Sequence, residues 1–138
     1  MKNKKVMTMI IFIVLIVIGT LFYVYSKNQN SFVENWDIKL PDKTVSIYHQ
    51  YPESSFHNDG VYYEVYDMSH QELNISLQAQ KNQKVEQNFN QCVKEINIPE
   101  KYLPDFSKDY EYYIKNKDGG YIILIVQNSR LFITAFDL

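Results

Sequence analysis

His57 and Asp59 stand two apart in the stretch SSFHNDGVYYEVYD, Ser54 to Asp67, and are followed by Gly60 and by three tyrosines in five positions. An imidazole beside a carboxylate can hold a metal ion or polarise a small ligand, and folding could bring His49 or His70 to the pair. The four residues His57-Asn58-Asp59-Gly60 also suit a tight turn, because Asn and Asp side chains bond their own backbone and Gly accepts positive φ. A metal site announces three or four ligands at close spacing, and here one pair does. The expectation is therefore a turn joining two strands, with no metal and no cofactor assigned. Tyr62 and Tyr66 share one face of the strand that follows, so the candidate ligand-binding set is His57, Asp59, Tyr62 and Tyr66.

Other reactive groups carry less. The one cysteine, Cys92, lies in KNQKVEQNFNQCVKEI, where Val85, Phe89, Cys92, Val93 and Ile96 recur at helical intervals. A thiol on such a face behaves as a small hydrophobe, and a nucleophile would need a cationic neighbour. Glu100, Asp105, Asp109 and Glu111 are close in sequence, but charges clustered in a connecting segment read as a solvated face. No catalytic residue is assigned, and binding is expected rather than catalysis.

These groups need a setting, and the start of the chain supplies one. Val6 to Tyr25 runs twenty residues without a charge, Asn, Gln or Pro. At about 1.5 Å per residue that spans the ~30 Å hydrocarbon core of a bilayer. Lys2, Lys4 and Lys5 precede the run and only Lys27 follows closely, which places the N-terminus in the cytoplasm and the remainder outside. Leu21, Phe22, Tyr23, Val24 and Tyr25 close the run with an aromatic belt rather than the small residues of a cleavage site, so an uncleaved signal-anchor in the plasma membrane is expected over a cleaved signal peptide. The organisation is then 1–5 cytoplasmic, 6–25 transmembrane, 26–32 linker and 33–138 one extracytoplasmic domain.

Beyond the apolar run, 11 basic residues face 16 acidic ones. That balance argues against nucleic acid as partner, which calls for basic patches. A single cysteine excludes an internal disulfide, and 12 Tyr and 8 Phe make aromatic burial the means of holding the domain.

The outer domain reads as α+β. Trp36, Ile38 and Leu40 alternate in an extended lead-in, and Val45, Ile47 and His49 alternate on one face of a first strand. In the second strand Val61, Tyr63 and Val65 face one way and Tyr62, Glu64 and Tyr66 the other. Ser69 and Glu72 have the spacing of a helix-start box, which predicts a helix over residues 69–79, with a strand alternating Leu73, Ile75, Leu77 and Ala79 as the competing form. After the Cys92 helix, DYEYYIKNK, a DGG turn, YIILIVQ, an NSR turn and LFITAFD predict a three-stranded meander. The whole is an antiparallel sheet of about five strands, ββ-α(α)-βββ, with one or two helices packed on it.

The N-terminal apolar segment, the hexapeptide Ser55-Phe56-His57-Asn58-Asp59-Gly60, IPEKYLPDF and the closing YIILIVQNSRLFITAFD resemble a loosely defined set of small membrane-anchored exported proteins of Gram-positive bacteria. Members often carry Ser-Phe-His-Gly-Asp-Gly before a Tyr-rich strand; here Asn58 replaces the first glycine. The set has no assigned activity, so the resemblance implies location and fold. The functional expectation is an anchored module that binds a protein partner at the cell surface, in envelope assembly or in protection from a toxin or bacteriocin. The alternative is an extracytoplasmic enzyme or small-ligand or metal-binding protein using His57 and Asp59.

Overall fold

A computed structural model of the chain describes residues 2–28, 31–52 and 60–137, in two compact units, Met1–Asp37 and Ile38–Leu138. His57 and Asp59, and the turn expected there, lie outside the described residues.

The first unit holds helix α1, Lys2–Asn28, and the single turn α2, Ser31–Glu34. Ile11 through Ile18 are all exposed. Eight successive helical residues point in every direction, so α1 is apolar all round. The uninterrupted run of its described side chains is residues 11–21. Among the described residues no helix is long and apolar enough to cross a membrane.

The second unit is an α+β domain built on a five-stranded antiparallel sheet. Strands β1 Val45–Gln50, β2 Gly60–Asp67, β3 Glu111–Lys117, β4 Gly120–Gln127 and β5 Arg130–Asp137 lie in the order β1-β2-β5-β4-β3. The closing meander has the expected form. Asp118 and Gly119 turn β3 into β4, and Asn128 and Ser129 turn β4 into β5, all four with positive φ, as two-residue turns matched to strand twist require. Gly60 opens β2 at φ 143°, and a Cβ there would meet Pro52 Cβ at 2.8 Å, so glycine is demanded twice over.

Helix α3, Gln83–Glu95, is the expected Cys92 helix. Asn82 caps it, its side chain accepting from the amides of Lys84 and Val85, and Val85, Phe89, Cys92 and Val93 are buried. Val85, Phe89 and Val93 pack with Tyr63, Val65, Tyr112, Ile123, Ile125 and Phe132 from one face of the sheet. Aromatic rings run through this core in contact: Tyr48 stacks on Tyr102 at 4.4 Å, Tyr63 meets Phe89 edge-on at 6.0 Å, and Phe89 meets Phe106 at 5.6 Å.

Two expectations are corrected. Residues 69–79 form neither the helix nor the strand. Ser69 and His70 sit in the left-handed region, whereas a helix cap needs extended backbone, and the Ser69 amide donates to the Asp67 carboxylate at 2.8 Å. The segment pairs with the sheet through one bridge, Gln78 to Tyr112, with backbone bonds of 2.8 and 2.9 Å.

The second correction is in β1. Ser46 pairs with Tyr66, but Tyr48 pairs with Val65, so Ile47 is an extra residue, a β-bulge. The alternation of Val45, Ile47 and His49 therefore breaks: Ile47 and Tyr48 both pack against the α3 core, and His49 turns to the opposite face. That opposite face is itself buried at Glu64, Tyr66, Ile122, Leu124, Leu131, Ile133 and Ala135.

Phe89 is wholly buried between Tyr63 and Phe106. Phe89→Ala should cost about 3–5 kcal/mol, measured by denaturant unfolding of the full chain; a loss below about 1 kcal/mol would contradict this packing.

Candidate functional site

Alternation places Tyr62, Glu64 and Tyr66 on one face of β2, and the bulge brings His49 and the following Tyr51 to the same face. His49 is the cross-strand partner of Glu64. The Tyr51 hydroxyl donates to Glu64 Oε1, and the Tyr66 hydroxyl donates to Oε2 at 2.9 Å. The His49 and Tyr51 rings stack at 5.4 Å, and the Tyr62 ring lies 5.9 Å from Tyr51. Glu64 is 1% exposed and Tyr66 5%, while Tyr51 is 44% exposed and Tyr62 half-buried. A carboxyl is thus sealed in the sheet beneath tyrosine rings, one of them open to water.

Burial pushes the Glu64 carboxyl up from its ordinary 4.5, while the Tyr51 and Tyr66 hydroxyls and the nearby His49 pull it down. Burial has the larger effect. The Tyr51 and Tyr66 phenols are raised in turn, first by burial and then by the adjacent carboxyl. Chemically the cluster can hold and release a proton, and its open tyrosines offer rigid contact surface.

Of the sequence-derived set, the structure brings Tyr62 and Tyr66 together around Glu64; His57 and Asp59 are outside the described residues. Glu64 and Tyr51 were not expected, and His49 was expected only as a possible neighbour of His57 and Asp59. The one signal for them was a carboxylate flanked at both second neighbours by tyrosine, which alternation assigns to one face.

The remaining reactive groups lie apart from this cluster in the sequence and are bonded to neighbours of their own. Cys92 is buried with its sulfur 3.0 Å from the Tyr121 hydroxyl, and burial raises the thiol. Asp105 is exposed in a turn, where hydrogen bonds from Ser107 and the ion pair with Lys108 at 3.0 Å hold its carboxyl at about 2. His70 Nδ1 lies 2.9 Å from Ser129 Oγ, a hydroxyl–imidazole pair at the exposed hairpin end of the sheet. Among the described residues no three His, Cys, Asp or Glu are grouped to hold a metal ion. No protein family, no curated protein and no solved structure matches the chain.

Two outcomes follow from these environments. Folding raises the Glu64 pKa, so the folded state holds the proton more tightly than the unfolded chain. Its stabilising contribution is complete below about 4.5 and is lost as pH rises through the folded value. Glu64→Gln should remove this fall from the unfolding free energy measured across pH; a variant with the wild-type slope would place the effect elsewhere. Cys92→Ala should cost about 1–2 kcal/mol, and the native thiol should react slowly with an alkylating reagent, whereas labelling as fast as in denaturant would contradict its burial.

Proposed function

We propose that the chain is a single-pass plasma-membrane protein, anchored by residues 6–25 within α1, with residues 1–5 in the cytoplasm and residues 33–138 outside as a module that binds a protein partner at the cell surface. The observation that carries the anchoring is α1 itself: Ile11 to Ile18 are exposed around the full turn of the helix, a surface that hydrocarbon satisfies and water does not. The charge asymmetry of Lys2, Lys4 and Lys5 gives the orientation.

For the outer module, binding is supported by the half-open aromatic surface of His49, Tyr51 and Tyr62 on one face of β1 and β2. Tyrosines fixed over a buried hydrogen bond present large contact area at small entropic cost, which suits a protein partner. An envelope component or a protein toxin to be neutralised fits this surface, in keeping with the resemblance to small anchored exported proteins.

Protease added to intact cells should digest a C-terminally tagged chain, and a domain protected until the membrane is opened would overturn the topology. With a photo-crosslinking residue at position 62, the same cells should give a discrete adduct that a probe at Asn116, on the far edge strand, does not. Equal crosslinking at both positions, or none at 62, would remove the aromatic face from the binding reading.

A further inference from the structure

The two edges of the sheet are not alike. On β3 the edge is met by the Gln78 bridge, with backbone hydrogen bonds in both directions. On β1 no further bridge is formed among the described residues. Past the Ile47 bulge the β1 ladder has three pairs left, Tyr48 with Val65, His49 with Glu64 and Gln50 with Tyr63. Side chains pin this short end on both faces. Toward the core, Tyr48 donates to Gln50 Oε1 at 2.8 Å, and Gln50 Nε2 donates to the Ile96 carbonyl at 2.8 Å. On the other face the pin is Tyr51 on Glu64.

We propose that Glu64 is a proton-operated latch on the β1 edge of the sheet: with its proton bound, the carboxyl keeps the Tyr51 end of β1 closed on β2, and ionisation releases that end. The geometry sets the direction. A charged Glu64 gains water only if its cover moves, and Tyr51, bonded to the carboxyl and exposed like its neighbour His49, stands at the end of an edge strand weakened by a bulge. Among the described residues, the titratable groups facing the carboxyl are His49 and Tyr51 from β1 and Tyr62 and Tyr66 from β2. The neighbour from β5 is Ile133, flanked on that face by Leu131 and Ala135, so no fixed cation from that side holds the charge. The two phenol donors ease ionisation without cancelling burial, and a positive charge on His49 acts in the same sense as they do. The closed state therefore binds the proton more tightly than the open one, and linkage makes opening grow with pH. This latch does not depend on the membrane or partner-binding reading, since its elements all lie within the sheet.

Amide exchange and carboxyl ¹³C titration of the full chain, over about pH 4 to 9, test it together. Protection of residues 45–51, relative to β4, should fall as pH rises, by up to about tenfold per pH unit, and level off above the Glu64 midpoint. That midpoint should lie above 4.5, and Glu64→Gln should abolish the pH dependence of β1 while leaving β4 unchanged. An identical β1 profile in Glu64→Gln, protection that rises with pH, or a Glu64 midpoint at or below 4.5 would each overturn the latch. Should the variant fail to fold, the wild type still decides: coincident midpoints for β1 protection and the Glu64 carbon support it, and separate midpoints refute it.

Discussion

One extra residue in an edge strand governs the outer face of this domain. Without a bulge at Ile47, the pairing that starts at Ser46 and Tyr66 would put Tyr48 opposite Glu64 and turn His49 and Tyr51 into the α3 core. With it, Tyr48 enters the core, where it stacks on Tyr102 and meets Tyr63 edge-on, the Tyr51 hydroxyl reaches Glu64, and His49 lies across from Glu64. The same slip thus satisfies an apolar demand on one face and a hydrogen-bonding demand on the other. In the regular register Tyr48 would leave the core and Glu64 would lose the Tyr51 donor, while Tyr66, on the same strand as Glu64, would still reach it.

The rest of the domain is the scaffold on which that slip is held. No disulfide is possible with one cysteine, so cohesion falls to packed rings under α3 and to hydrogen bonds that tie phenols to the backbone, such as Tyr63 to the Tyr102 carbonyl at 2.6 Å. Both faces of the sheet are buried, which is why β4 and β5 are apolar almost without interruption rather than alternating. Among the described residues, Glu64 is one of three buried polar residues in the domain, with Gln127 and Thr134. Gln127 ties down the loop from Asp105 to Asp109 through its amide. Gln127 and Glu64 each fasten a segment to the sheet, and Glu64 differs in being able to change its charge.

Much of this was legible in the sequence. Helical spacing located α3 and its buried face, Asp-Gly and Asn-Ser located the two hairpin turns, and Gly60 was read as a residue that accepts positive φ. What could not be read were features set by long-range pairing. A bulge has no local signature in VSIYHQ, since each residue there suits either face. Ser69 and Glu72 have the helix-start spacing, but Asp67 and the Ser129 carbonyl claim the neighbouring amides first. Parity placed Glu64 on the face opposite Tyr63 and Val65; only the burial of that second face makes it a sealed acid. His57 and Asp59 drew notice by residue type, whereas the acid described in the structure stands five residues further along, between two tyrosines.

The central claim is the register past Ile47, and cross-strand proton contacts measure it directly. Nuclear Overhauser effects in the full chain should pair Tyr48 with Val65 and His49 with Glu64, alongside Ser46 with Tyr66. Contacts pairing Tyr48 with Glu64 and His49 with Tyr63 would show an unbroken ladder, and the convergence of His49 and Tyr51 on the buried carboxyl would fall with it.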